Sequence, residues 1–373
     1  MVGLALAING LHICTSHFIY RKVHAAVSFT RTLTMAAKLV NRECLLLIQI
    51  LVSFLILVIV PAAFALPLKS LKSLTVIKEV NREGPYLGLL TVSTSEDSAF
   101  FATGAFQPHK THPIIDLSCR RFRVGKIHDK KVLYVRCGVG MVNAAAATQQ
   151  MLDLFGVKGI VHFGVSGNVN DSLSIGDVII PKQFAHTGIW DWLNLNGTSN
   201  LDHVAELNVA SYNLPKGKGN LLGLVGYSEE EFYSEFGKPN IAQSLLWVQT
   251  SKHWLQLAAN LEGMVLKQCV NSSLCLPRKP KLVVGLRGAT SNTFVDNAAY
   301  RNFLVKTFGV SSTDMESSAV VMTTLSNGFP VITLRGLSDL AGKQPGEKAY
   351  TKFGSLAAYN AAKAVVQFIK ILQ

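Results

Sequence analysis

Short apolar runs alternate with helical segments along most of the chain. Residues 86–92, 159–163 and 331–334 are apolar and bounded by turn residues, which is typical of buried strands. An Ala-rich segment, 142–154, and an amphipathic one, 356–372, have the pattern of helices. This alternation predicts an α/β fold whose strands share one sheet in a single domain.

The amino-terminal part of the chain has the pattern of a secretion signal. Two basic residues precede the apolar run 45–60, and Ala-Phe-Ala at 63–65 is a small-x-small cleavage site. We therefore expect residues 35–65 to be a signal peptide and residues 1–34 to be an upstream extension. An uncleaved anchor is the alternative, although the sixteen apolar residues fall short of the roughly 18 of a spanning helix.

A cleaved leader predicts the secretory pathway, with the extracellular space, the cell wall or the vacuole as destination. The mature chain would then have no stable membrane association. Asn170, Asn196 and Asn271 each begin an Asn-x-Ser/Thr sequon and are expected glycosylation sites if they lie on the surface.

Four cysteines remain once the leader is removed, an even number that suits an oxidising compartment. Cys269 and Cys275, with five residues between them, are the expected disulfide. Cys119 and Cys137 are either bonded to each other or buried free thiols. No CxxC or His-rich spacing predicts a metal, and no cofactor is expected.

The charge of the chain does not indicate a nucleic-acid partner. The formal net charge is +13, of which the leader contributes +4 and the rest +9. Basic residues cluster around one predicted hairpin with a single aromatic, Phe122, whereas nucleic-acid surfaces interleave basic and aromatic side chains. The cluster is Arg120, Arg121, Arg123, Lys126, Lys130 and Lys131. It is interpreted as a solvated face compatible with acidic wall polymers or membranes.

Two acidic residues flank one apolar helix near the carboxyl end of the chain. Glu316 is expected in the first turn of that helix, and Asp339 follows the buried strand 331–334. Ligands in open α/β sheets bind at the carboxyl ends of strands, so Asp339 is placed where a reactive group is expected. Taken singly, Glu316 could be a helix-dipole charge and Asp339 a loop cap.

The segment 184–281 interrupts the alternation of strands and helices. It contains all four tryptophans, Trp190, Trp192, Trp247 and Trp254. We interpret it as a long, ordered insertion with its own helices.

Four segments in this order resemble the nucleoside phosphorylase and nucleosidase superfamily, and within it the plant bark and vegetative storage proteins. They are Gly88-Leu89-Leu90 with its acidic loop, Gly138-Val139-Gly140, Gly164-Val165-Ser166-Gly167 with Ile175-Gly176-Asp177-Val178, and the segments around Glu316 and Asp339. The resemblance implies a three-layer α/β/α sandwich, nucleoside phosphorylase-like, in residues 86–372. Its central sheet would be mixed and partly barrel-like, and a homo-oligomer is expected.

The resemblance to methylthioadenosine and adenosylhomocysteine nucleosidases also assigns roles to individual residues. Asp339 matches the general acid that protonates the purine leaving group, and Glu316 the carboxylate that binds ribose hydroxyls. Met315 would pack on the sugar, and Phe294 would stack on the base, the alternative being a core aromatic. Further substrate contacts are expected from Val295, Ser338, Ser166 and Gly167.

Glu96 matches the carboxylate that activates water in the nucleosidases. Its neighbour Asp97 leaves the register open by one residue, and an exposed loop acid is the alternative for either one. The resemblance thus implies a small purine nucleoside as the binding partner.

The phosphate-binding pattern of the phosphorylases is missing from the chain. Ser93 to Asp97 replaces a glycine-aspartate-proline loop with its arginine, and His162 and Val165 occupy the positions of an arginine and a serine. A protonated His162 would compensate in part; a structural histidine is the alternative.

Other departures put the base specificity in doubt. Asn292 occupies a position where many nucleosidases have an aspartate, and Ser317-Ser318 replace their usual Gly-Ala or Ala-Ala pair. His186 and Trp190 of the insertion would line or block the pocket.

The sequence therefore favours a purine nucleosidase-like hydrolase of N-ribosidic bonds. A nitrogen storage protein with a vestigial nucleoside site is the first alternative, and a phosphate-dependent phosphorylase the second.

Overall fold

The computed structural model describes residues 69–193, 203–212, 222–342 and 346–372. The predicted extension 1–34, the predicted signal peptide 35–65 and the sequon at Asn196 lie outside the described residues. Residues 72–373 form one compact unit. Within the described part, no helix has the length and apolarity needed to cross a membrane.

The described helices include the three that the sequence predicts at 142–154, after Glu316 and at 356–372, and others that it does not predict. They are α1 Lys69–Glu83, α2 Thr94–Phe101, α3 Met141–Leu154, α4 Val209–Tyr212, α5 Lys252–Ala258, α6 Ala298–Phe308, α7 Ser317–Ser326 and α8 Gly346–Ile371. Helix α6 begins where the Asn297 side chain accepts from the Tyr300 N–H, and it ends at Gly309 with φ of 62°.

The strands are numbered in chain order. The first ten are β1 Tyr86–Thr91, β2 Phe106–Pro108, β3 Ile114–Leu117, β4 Arg120–Ile127, β5 Lys130–Arg136, β6 Val157–Asn168, β7 Val178–Ile180, β8 Gln183–His186, β9 Trp190–Leu193 and β10 Ala205–Asn208. The others are β11 Leu224–Tyr227, β12 Glu230–Phe232, β13 Gln243–Leu245, β14 Trp247–Gln249, β15 Cys269–Asn271, β16 Leu274–Cys275, β17 Leu282–Val284, β18 Arg287–Thr290, β19 Ser312–Asp314 and β20 Val331–Asp339.

Thirteen of these strands form one mixed sheet. Its main path runs β14-β8-β18-β19-β6-β1-β5-β4-β2, and β3, β7, β17 and β20 pair off this path. Strand β6 is parallel to both β1 and β20, and its last residues pair antiparallel with β19. Because β6 has three partners along its length, the sheet branches there.

Helices cover both faces of the sheet, so the domain has three layers. In β1, alternate side chains enter different cores, with Leu89 in one and Leu90 in the other. The first core also contains Phe368 of α8 and Phe100 of α2. The second contains Met151 of α3 and Val321 of α7. The three-layer α/β architecture and the mixed central sheet predicted from the sequence are confirmed.

The folded domain begins before residue 86. Helix α1 precedes the first strand, and its Asn81 Nδ2 donates to Leu154 O at the end of α3, at 2.8 Å. The resemblance had placed the start of the domain at residue 86.

The segment 184–281 is less separate than the sequence suggested. Strand β8, near its start, is parallel to β18, and β14 joins the same edge, so both belong to the main sheet. Its other described strands form small antiparallel sheets, and its helices are short. These strands of two to four residues are too brief to show a period in the sequence.

Cys269 and Cys275 are joined by a disulfide in the β15–β16 hairpin. Cys119 is an exposed free thiol, and Cys137 is a buried one. The sequon residue Asn271 is exposed at the end of β15 in the same hairpin, whereas Asn170 is half-buried and its amide donates to Ser311 Oγ. In the described part of the chain, no group of three or more candidate ligands is arranged for a metal ion.

Candidate active site

A cavity of about 260 Å³ opens at the carboxyl ends of β1, β6 and β20. The nine residues predicted as catalytic or substrate-binding all line it. They are Asp339, Glu96, Glu316, Met315, Phe294, Val295, Ser338, Ser166 and Gly167. The strand order explains this convergence, since β6 pairs with both β1 and β20. The end of β1 precedes Glu96, and β20 ends at Asp339.

Asp339 is the last residue of β20. A register irregularity between Leu337 and Asp339 sets it opposite Gly167 of β6. Ser338 Oγ donates to Asp339 Oδ1 at 2.7 Å. Burial raises the pKa of Asp339, and the negative charge of Asp296 adds to the rise, while the Ser338 hydrogen bond opposes it. A raised pKa favours the protonated carboxyl that a general acid needs.

Glu96 lies in the first turn of α2 and not in a loop as the sequence analysis placed it. Ser93 and Glu96 form a capping box, in which each side chain bonds to the backbone N–H of the other. The spacing Ser-x-x-Glu was available in the sequence as a sign of this helix start.

The Glu96 carboxylate is buried and tightly held. Its Oε2 accepts from the N–H groups of Val92 and Ser93 at 2.9 and 2.7 Å, and its Oε1 accepts from Val165 N–H at 2.7 Å. The residue is only 3% exposed, which excludes the exposed loop acid. Asp97 points away from the cavity and accepts from Tyr134 Oη at 2.6 Å. Of the two adjacent acidic residues between which the sequence could not decide, Glu96 is therefore the one that lines the cavity.

Glu316 immediately precedes α7. Its Oε1 accepts from Gly140 N–H at 2.9 Å, and its Oε2 is 3.4 Å from Nη2 of Arg335. Burial raises the pKa of Glu316 to about 7, against the opposing effect of the Arg335 charge. The charge of Asp314 contributes to the rise.

Arg335 and Asp314 were not singled out by the sequence analysis. Arg335 is fully buried in β20 beneath the cavity, where its Nε lies 3.3 Å from Asp314 Oδ2. It also donates to Ser317 Oγ and to Val165 O, both at 3.0 Å. Asp314 Oδ1 accepts from the N–H groups of Glu316 and Ser317, which caps α7. An arginine inside a buried strand needs acidic partners, and this rule was the available signal.

His162 does not serve as a phosphate ligand. It is fully buried, and its Nδ1 donates to Leu90 O while its Nε2 accepts from Arg335 Nη2 at 2.6 Å. Burial and the Arg335 charge lower the pKa of His162 well below its usual range, so the imidazole is neutral. The suggested compensation by a protonated His162 is therefore wrong, and the structural alternative holds.

The walls of the cavity combine an exposed ring with buried small groups. Phe294 is 55% exposed, which rules out the alternative of a core aromatic. Val295 beside it is buried. Ser166 Oγ is also buried and has no hydrogen-bond partner among the described residues. A ligand in the cavity would meet an open aromatic face and polar groups at the Asp339 end.

Three residues that the sequence linked to the pocket lie elsewhere. His186 bonds to Glu230 and lines a separate groove between α3 and α7. Asn292 lines that groove as well, and its Oδ1 accepts from Met141 N–H at 2.9 Å. Trp190 is half-exposed on β9 and is not among the described residues that line the cavity. The insertion therefore neither lines nor blocks the cavity through His186 or Trp190.

The chain belongs to the phosphorylase superfamily, whose family model matches residues 89–370. Bark storage protein A of Populus deltoides is 31% identical over 285 residues, which cover 76% of this chain and 88% of that protein. The 5'-methylthioadenosine/S-adenosylhomocysteine nucleosidase of Treponema pallidum (strain Nichols) is 24% identical over 252 residues, 67% of this chain and 82% of the enzyme.

Solved structures show the same fold. Futalosine hydrolase of Helicobacter pylori strain 26695 superposes with a TM-score of 0.54 at 19% identity, over 78% of this chain and 100% of that one. The 5'-methylthioadenosine/S-adenosylhomocysteine nucleosidase of Helicobacter pylori, solved with butyl-thio-DADMe-Immucillin-A, has a TM-score of 0.54 at 20% identity, over 77% of this chain and 98% of that one.

Proposed function

We propose that this protein hydrolyses the N-ribosidic bond of purine nucleosides. The observation that supports this most directly is one cavity that holds a buried acid of raised pKa, two further buried carboxylates and an exposed ring. Asp339, Glu96, Glu316 and Phe294 are these groups. Named relatives include nucleosidases of this kind.

In the proposed reaction, Asp339 gives its proton to N7 of the purine. The N9–C1′ bond breaks with its electron pair going to the base, which leaves as a neutral molecule. Positive charge then develops on the sugar, and the carboxylates of Glu96 and Glu316 stabilise it. Phe294 holds the base by stacking, and Glu316 accepts from ribose hydroxyls.

Water completes the reaction on the side of Glu96. The water oxygen bonds to C1′, and its proton passes to the Glu96 carboxylate, so that the products are free ribose and free base. The backbone bonds from Val92, Ser93 and Val165 fix the carboxylate in one orientation for this step.

The charges around the cavity favour water over phosphate as the nucleophile. None of the described residues that line it is Lys, Arg or His. Arg335, buried below, is already paired with Asp314 and Glu316. A phosphate dianion would face carboxylates without a charge-assisted partner.

The proposal is tested by incubating purified mature protein with adenosine, inosine and methylthioadenosine, with and without phosphate. Free base without phosphate, lost in Asp339→Asn, is the expected result. Base release only when phosphate is present would favour a phosphorylase instead.

Storage of nitrogen is the second candidate function, because a bark storage protein is among the relatives. The same assay distinguishes the two functions. If a folded protein that accumulates in tissue releases no base from any riboside, storage would be favoured.

We further propose that the chain enters the secretory pathway, loses residues 1–65 and assembles as a homo-oligomer. Recovery and amino-terminal sequencing of the secreted protein test secretion and cleavage, and light scattering tests assembly. A mature chain that begins before Leu45 would exclude cleavage at Ala65, and a monomer would exclude assembly.

A further inference from the structure

A second and larger cleft lies beside the candidate active site. It has a volume of about 730 Å³ and is lined mainly by polar and charged residues. The charged ones are Arg120, Arg121, Arg123, Arg136, Asp97 and Asp116. Four arginines against two aspartates leave a net charge of +2 in this concave space.

The arrangement of the strands places three of the four arginines on one face of the sheet. Arg121 and Arg123 are two residues apart on β4. Arg123 lies opposite Tyr134 of β5, and Arg136 is two residues after Tyr134 on that strand. Side chains two residues apart on a strand point to the same face, so these guanidinium groups lie close together. Like charges so placed repel each other unless an anion lies between them.

The neighbouring carboxylates neutralise only part of this charge. Arg121 forms a bidentate pair with Asp116, with both donor distances 2.8 Å. Asp97, the other acid of the cleft, accepts from Tyr134 Oη. Among the described residues, no carboxylate pairs with the remaining three arginines, Arg120, Arg123 and Arg136.

The three uncompensated arginines are held by neutral contacts. Arg136 Nη1 donates to Thr94 Oγ1 at 2.9 Å, and the Arg123 guanidinium lies 5.0 Å from the centre of the Phe101 ring. Arg120 Nε is buried without a partner among the described residues. These groups are positioned on rigid strands and keep donors available for a ligand.

We propose that this cleft is a binding site for a small ligand with two or more phosphoryl groups. Guanidinium forks match phosphoryl oxygens in geometry. A terminal phosphoryl group carries about −1.5 to −2 at pH 7, so a ligand with two or more phosphoryl groups can offset the charge of three uncompensated arginines, which a single carboxylate cannot. The volume of the cleft exceeds that of the nucleoside cavity, so it admits more than one such group.

The lining argues against a nucleic acid as the occupant. Tyr134 is the aromatic residue among those that line the cleft, and its hydroxyl is bonded to Asp97. Stacking platforms for successive bases need several free aromatic faces.

The experiment is isothermal titration of the full mature protein with tripolyphosphate at physiological salt. The double variant Arg123→Gln/Arg136→Gln should weaken binding by roughly tenfold or more, since charge-assisted hydrogen bonds are lost. The control Lys126→Gln/Lys130→Gln removes the same charge from the same hairpin outside the cleft and should bind within about twofold of the original chain. Arg123→Lys keeps the charge and should give an intermediate affinity, which tests the site even if the double variant folds poorly.

Equal weakening in the cleft and control variants would mean a diffuse charge effect and would overturn the proposal. The same conclusion follows if tripolyphosphate does not bind the original chain, or if polygalacturonate alone binds through these arginines. None of these outcomes depends on nucleoside hydrolysis.

Discussion

The Glu96 carboxylate and the Val165 backbone N–H are joined by a 2.7 Å hydrogen bond that connects α2 to β6. The bond is possible because residue 164, directly before Val165, is a glycine. A Cβ at this position would overlap Glu96 Oε1 and would lie 2.8 Å from Arg335 Nη1. Gly164 therefore lets a carboxylate and a buried cation approach the same point of the strand.

Gly164→Ala should destabilise the fold and disturb the cavity together. The added methyl group displaces Glu96 or Arg335, and we expect a loss of about 1–3 kcal/mol, typical of overpacked cores. Urea unfolding measures the change. Gly104→Ala is a control for glycine replacement, because a Cβ there meets nothing within 4 Å, although its φ of 68° adds local strain. If Gly164→Ala hydrolysed nucleosides as fast as the original chain, the packing argument would be contradicted.

Glu96→Gln should abolish hydrolysis and retain nucleoside binding. An amide cannot take the proton of the attacking water, and its NH₂ group also faces backbone N–H donors, at a cost of about 1–3 kcal/mol in stability. Single-turnover assays and equilibrium binding separate the two effects. Asp97→Asn, one residue away and outside the cavity, should keep its activity; similar losses in both variants would argue against the assignment of Glu96.

Asp339→Asn should reduce base release by about 10²–10⁴-fold, because the base then leaves without a proton. In the original chain, activity should fall as pH rises through the raised pKa of Asp339. Asp296→Asn removes a nearby negative charge, which lowers that pKa, so the alkaline fall should move to lower pH. A pH–rate profile of kcat/KM checks this shift, and an unchanged or opposite shift would contradict the role of Asp339.

Phe294→Ala should weaken nucleoside binding by about 1–3 kcal/mol, the usual value of a stack between an aromatic residue and a base. Because the ring is 55% exposed, the free energy of unfolding should change little. Titration calorimetry and thermal unfolding give both quantities. Phe236→Ala, at an 84% exposed ring away from the cavity, is the control. A large loss of stability with unchanged binding would return Phe294 to a packing role.

Glu316 should make stability depend on pH between its ordinary pKa of 4.5 and its raised pKa of about 7. In this window the native carboxyl binds a proton that the unfolded one has released, so stability falls as pH rises, by about 3 kcal/mol in total. Glu316→Gln should flatten this slope in unfolding curves from pH 4 to 8. Glu229→Gln, at an exposed position, should leave the slope as it is, and a slope preserved in Glu316→Gln would exclude this source.

The parts of the site that follow local rules were predictable from the sequence. Glu316 and Asp339 could be placed because a helix start and a strand end are marked by their neighbours. Phe294 and Glu96 were found only through the family resemblance. Nothing local distinguishes Phe294 from a core ring, and the Ser-x-x-Glu spacing marks a helix start at Glu96 without indicating a catalytic role.

The contacts beneath the cavity were not predictable in the same way. Arg335 contacts Asp314, His162 and Glu316. His162 is 173 residues away in the sequence and Glu316 is 19 residues away. Such contacts depend on which strands become neighbours, and sequence pattern does not determine strand order. The same reason explains why β8 and β14 of the segment 184–281 were assigned to an insertion although they extend the main sheet.

Strand β6 pairs with β1, β19 and β20 and also bonds directly to the Glu96 carboxylate. Asp339 lies opposite Gly167 on the same strand, two residues beyond Val165. Two acidic groups that are far apart in sequence are thereby attached to neighbouring positions of one strand, so a single element sets where each of them stands relative to the other.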